Sequence, residues 1–201
     1  MSLTTSKVKV PLGMRTLDFW PITSEPDNGH PVYGARVNLG AAVKGYLTVT
    51  TNPASIPGDD IDQVWDEIFA GAQLDTETTM SDLQVNAQLF GHTWSAEAGE
   101  ESKGTDRAIP GGLSFIEPIL RKDKVTIYRV TCLRKGTPLA SSEKQEADTR
   151  KPGELNPKMN AVSFKISEDS LHSWRVRKDF DTEAAAQTFI QTFFGATAQS
   201  Q

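Results

Sequence analysis

The side chains able to do chemistry are few and scattered. His30, His92 and His172 stand far apart and share no metal-ligand spacing with one another or with a cysteine. Cys132 is the one cysteine, which excludes an intramolecular disulfide framework. It lies inside an alternating apolar run, where a thiol serves as a small core hydrophobe rather than a nucleophile. There is no glycine-rich phosphate loop and no nucleophile elbow. Pro110-Gly111-Gly112 lacks the lysine and following helix that would make it one. The acidic run of Asp59, Asp60, Asp62, Asp66 and Glu67 has oxygen ligands for a hard cation but not the spacing of a calcium loop. It reads as a solvated or intersubunit acidic face. Paired carboxylates for glycoside hydrolysis would need a separation that sequence does not display. The expectation is a protein that is not an enzyme, with no metal and no cofactor.

Charge adds a second constraint. The 201 residues carry 21 Lys plus Arg against 26 Asp plus Glu, a net charge of -5. The balance is uneven: +2 over 1–58, -11 over 59–106 and +4 over 107–201. The middle segment holds twelve acidic residues against Lys103 alone. Such polarity suits head-to-tail association, in which opposite surfaces attract and set orientation. The acidic total argues against a nucleic-acid binder, which needs clustered cations. The densest basic group, Trp174-Arg175-Val176-Arg177-Lys178, alternates as the solvated face of a strand would. No run of 18 apolar residues spans a membrane, and Met1 to Lys7 has no apolar signal core. Such a chain can bury roughly 70% of its extended surface in one core. The lone cysteine fits an intracellular or virion-assembly setting.

The elements that would position these residues are mostly strands. Residues 1–35, punctuated by Pro11, Pro21, Pro26 and Pro31, read as an extended N-terminal arm. The pair Phe19-Trp20 would anchor it on a core, its own or a neighbour's. Alternation from Arg36 to Thr51 gives the first strands, and Asn52-Pro53 and Ile56-Pro57-Gly58 interrupt them. Propensity favours a short helix over 61–69 and a strand over 72–79. Ser81-Asp82-Leu83-Gln84 is a capping box opening a helix over 82–90, ended by Gly91. Residues 95–107 show no packing pattern and read as a mobile loop. Strands follow at 113–116, 125–133, 161–166 and 173–177, with a polar stretch from Lys135 to Lys158. Asp181 or Thr182 caps a final helix striped by Phe189, Ile190, Phe193 and Phe194, and 197–201 fray. The hairpin signals predict antiparallel pairing, and no strand–helix–strand rhythm supports a doubly wound sheet.

Four segments resemble the major tail proteins of long-tailed bacteriophages, as in phages and prophages of Gram-positive bacteria. They are Asp59-Asp60 with the acidic run to Glu67; Phe69-Ala70-Gly71-Ala72-Gln73-Leu74 leading to Met80-Ser81-Asp82-Leu83 and Leu89-Phe90-Gly91; Tyr128 to Gly136; and the polar loop entering Ala161 to Ile166. Ile56-Pro57-Gly58 departs from the family's aromatic–alanine step before the aspartates. The resemblance covers 35–195 and implies a mainly β (α+β) fold: an antiparallel β-sandwich or barrel of the tail-tube type over 36–196, with a flanking C-terminal helix. It implies a virion protein, assembled in the host cytoplasm, whose copies form rings, commonly hexameric. These stack head to tail, with other tail proteins, into a conduit that DNA passes transiently. Counterparts of 61–69 in that family are β-structure entering a long hairpin. Asp59, Asp60, Asp62, Asp66 and Glu67 would then face the lumen, where carboxylates repel phosphates. They, with Phe19 and Trp20, are the candidate assembly or lumen-facing residues. The alternatives are a monomeric β-sandwich carbohydrate- or ligand-binding module using Trp65, Trp94 or Trp174 as its platform, and another tail or connector component.

Overall fold

A computed structural model describes residues 9–58, 61–79, 82–143 and 160–195, with backbone alone for 54–58 and 61–66. The fold is mainly β, with every strand pairing antiparallel. The strands are β1 (Lys9–Pro11), β2 (Arg15–Ser24), β3 (Val32–Tyr33), β4 (Val37–Asn38), β5 (Ala42–Gly58), β6 (Ile61–Thr78), β7 (Thr93–Ser95), β8 (Gly99–Glu101), β9 (Gly111–Arg121), β10 (Thr126–Pro138), β11 (Asn160–Ser167) and β12 (Arg175–Phe180). Two helices, α1 (Leu83–Phe90) and α2 (Glu183–Phe193), flank them. The large sheet runs β3-β2-β9-β10-β11-β6-β5, with β1 beside β9, β12 beside β10 and β4 beside β2.

Alternation along the central strands loads both faces of this sheet. On one face Leu17, Phe19, Leu113, Phe115, Leu133 and Phe164 pack with Leu89 and Phe90 of α1. On the other, Trp20, Ile116, Val130 and Cys132 pack beneath Ala186, Ile190 and Phe194 of and after α2. Met14, just before β2, lies against Gly45 on β5, and Leu39 N–H bonds Leu17 C=O at 3.0 Å.

Several expectations are corrected here. The N-terminal arm is part of the sheet from Lys9 onward: β1 and β2 both pair with β9. Residues 61–69 are strand, because β5 offers them a continuous partner whose ladder outweighs a weak helix propensity. Pro53 and Pro57 do not interrupt β5, since an edge strand turns alternate N–H groups away from the ladder. Helix α1 is capped by Asp82, whose carboxylate accepts from Gln84 N–H, one residue later than the capping box predicted. Residues 93–101 form the small hairpin β7–β8 rather than a loop without packing.

Other expectations hold. Gly91 is the left-handed cap of α1, Thr182 caps α2 through Ala185 N–H, and the Phe189-to-Phe194 stripe faces the sheet. No described helix is long and apolar enough to cross a membrane.

Candidate functional site

The feature that stands apart from the core is the β5–β6 hairpin. Its strands are 17 and 18 residues long, far beyond the common length of about 5–6. Among the described residues, only the base of β6 has a second neighbour: β11 pairs with Ala72 to Thr78 and then stops. At that boundary Gly71 takes a φ of 155°, a conformation other residues avoid, and the register slips between Thr50 and Thr51. Beyond it the chain continues as a two-stranded ribbon. Eight residues of β5, Thr51 to Gly58, carry it roughly 25 Å past the sheet.

A two-stranded ribbon is marginal alone, and its outer N–H and C=O groups are templates for further pairing. Among the described residues, the outer edge of β5 has no strand beside it over its whole length. Large apolar side chains are exposed here as well: Val43, Tyr46 and Val49 on β5, and Ile68 on β6, with Tyr46 66% and Ile68 61% accessible. The base of the ribbon is held firmly. Phe69 stacks on Trp174 at 4.6 Å, and the Arg175 guanidinium covers the Trp174 ring at 4.3 Å. Asp75 accepts from Ser163 Oγ and from Gln73 Nε2, and these bonds hold its carboxyl below the usual range.

The acidic candidates divide. Asp59 and Asp60 lie outside the described residues. Asp62 and Asp66 are strand residues of β6 opposite Pro57 and Ala54. Glu67 is exposed opposite Pro53. Phe19 and Trp20 need a different account from the one their sequence suggested. They are 0% and 1% exposed in their own chain, on opposite faces of β2, so they build the core and offer no assembly surface. Trp20 Nε1–H donates to Ser114 Oγ at 3.0 Å, which satisfies its polar end in the interior.

No known protein family matches the chain by its sequence pattern, and no curated protein is detectably similar to it.

The remaining reactive groups are distributed differently from their appearance in sequence. Cys132 is fully buried in β10, and burial pushes its thiol up to about 12. Each histidine has a carboxylate partner: His30 with Asp169, His92 with Asp106 and Glu143, His172 with Glu168. Asp169 also accepts from Leu171 N–H and Ser173 N–H, and Ser170 Oγ donates to the carbonyls of Pro26 and Gly29. That set clamps the 26–30 turn to the 168–173 turn. The His30 and His92 clusters escaped sequence reasoning because they join residues up to 139 and 51 positions apart. A cleft of about 220 Å³ lies between Met14, Leu47, Phe115, Glu117, Thr131, Arg175 and Arg177.

Proposed function

We propose that this chain is a tail-tube subunit: copies associate side by side into rings, commonly hexameric in the family it resembles, and the rings stack into a hollow phage tail. One observation carries the reading. The β5–β6 hairpin runs far past its own sheet with an open edge and exposed Tyr46, Val49 and Ile68. Pairing those edges with the hairpins of neighbouring copies removes the edge liability and buries the apolar residues, as closure does in any barrel. The acidic composition of 59–79 supports its placement toward the lumen, where like charge keeps DNA from adhering.

Electron microscopy of the concentrated full chain tests the reading. Rings or tubes are expected, with density for the hairpins joined in an inner wall. A protein that stays monomeric at every concentration, or tubes whose acidic hairpins lie on the outer wall, would count against it. A monomer that retains a carbohydrate would favour the ligand-binding alternative.

A further inference from the structure

Away from the hairpin, at the corner between α1, β7–β8 and the stretch after β10, three segments bring one imidazole and two carboxylates together. The ligand atoms of His92, Glu100 and Glu143 all lie within 4.8 Å of one another. The His92 side chain is 8% exposed, and Nδ1 is tied to Asp106 at 2.8 Å. Asp106 is in turn fixed by Lys103 N–H at 2.7 Å. This leaves Nε2 facing Glu143 Oε2 at 3.3 Å. Asn86 Nδ2 on α1 donates to Glu100 Oε1 and Glu143 Oε1, at 2.9 Å each. A carboxylate behind the histidine and an amide behind the glutamates form the outer layer that metal ligands require.

Two features favour a metal over a simple ion pair. First, the 3.3 Å separation of Nε2 and Oε2 is long beside the 2.7–2.9 Å of a charge-assisted hydrogen bond. It matches the ~3.3 Å between two ligands bound at about 2.0–2.1 Å to a tetrahedral ion. Second, three carboxylates surround one imidazole. Among the described residues, the nearby cations are engaged elsewhere: Lys103 Nζ lies 3.8 Å from Glu101, and Arg107 donates to the Asp106 backbone carbonyl. Among these described groups, a single imidazolium leaves the set two charges short of neutral, whereas a divalent ion leaves it one short.

We propose that His92, Glu100 and Glu143 form a divalent transition-metal site of zinc type, with Asp106 and Asn86 as positioning residues and the fourth position open to water beside half-exposed Glu143. An imidazole nitrogen selects zinc over calcium or magnesium. Binding displaces any proton on Nε2 to solvent. The ion clips the end of α1 to β8 and to the chain leaving β10, so its role is structural.

The test uses the full chain in dilute solution, stripped with a chelator and titrated with zinc chloride by calorimetry. One zinc per chain is expected, with a rise in Tm. His92→Gln should abolish both. Glu143→Gln, at the exposed ligand, should keep the fold by circular dichroism and weaken binding at least about tenfold, and Asp106→Asn should weaken it by about 10–100-fold. Absence of saturable zinc binding by the wild type would overturn the proposal. So would equal binding by wild type and Glu143→Gln, or calcium displacing zinc at equal concentration. The readout needs no assembly, so it stands or falls separately from the tube.

Discussion

At the residue scale, two side chains show how environment sets behaviour. Asp179 on β12 takes a paired bond from Arg129, Nε at 2.7 Å and a terminal nitrogen at 3.1 Å, with Lys9 Nζ at 2.8 Å. The Arg129 bonds, helped by Lys9 against partial burial, lower its carboxyl from 3.8 to about 2. The unfolded chain takes up this proton at higher pH than the folded chain does. The stabilisation is therefore whole above pH ~4 and is lost as pH falls toward ~2. Asp179→Asn should cost about 1 kcal/mol at neutral pH, given its partial exposure, and flatten the pH dependence of the denaturation midpoint in that window. Cys132 is governed by burial, which outweighs the opposing pull of the Arg134 charge. It should resist thiol reagents at pH 8 in the folded chain and react at the rate of unfolding in denaturant, which timed labelling would measure.

At the element scale, an aromatic knot helps to hold α2 on the sheet beside Ala186 and Ile190. Phe194 stacks on Trp20 at 5.0 Å and meets Tyr33 edge-on at 4.7 Å. Phe194→Ala should cost about 3–5 kcal/mol by chemical denaturation. Removing the cap with Thr182→Ala should cost about 1 kcal/mol. Gly112 on β9 faces this knot, and a methyl there would overlap the Phe194 ring. Gly112→Ala should be destabilising in the wild type and markedly less so beside Phe194→Ala. A double-mutant cycle would show that coupling, since the two sites share one space.

At the scale of the whole molecule, core and hairpin are separable. The core needs β6 only from Phe69 onward, where Trp174 and β11 hold it. Replacing 53–67 with a two-residue Asn-Gly turn should leave a folded chain with its near-ultraviolet spectrum and thermal transition close to wild type. If the chain forms the proposed rings and tubes, this variant should lose them, as microscopy and sedimentation would record. If the shortened chain still assembled, the hairpin would not be the element that joins copies.

Alternation and helix spacing were enough to place β9 through β12, α2 and the antiparallel class, because those segments bury one face against a neighbour and their periodicity records it. The buried role of Cys132 was legible for the same reason. The rest depended on partners distant in sequence. Residues 61–69 carry helix-compatible residues, yet β5 makes them a strand. The proline-rich segment 9–24 looked like an arm because nothing local announces β9, one hundred residues away, as its partner. The histidines looked isolated because a cluster built from residues 92, 100, 106 and 143 exists only once α1, β8 and β10 converge. Local periodicity is a property of neighbouring residues, so the chain alone determined its strand-rich class and one of its helical faces. Which edges stayed open, which carboxylates met which imidazole and which aromatics left the surface were decided by long-range pairing, available only in the folded sheet.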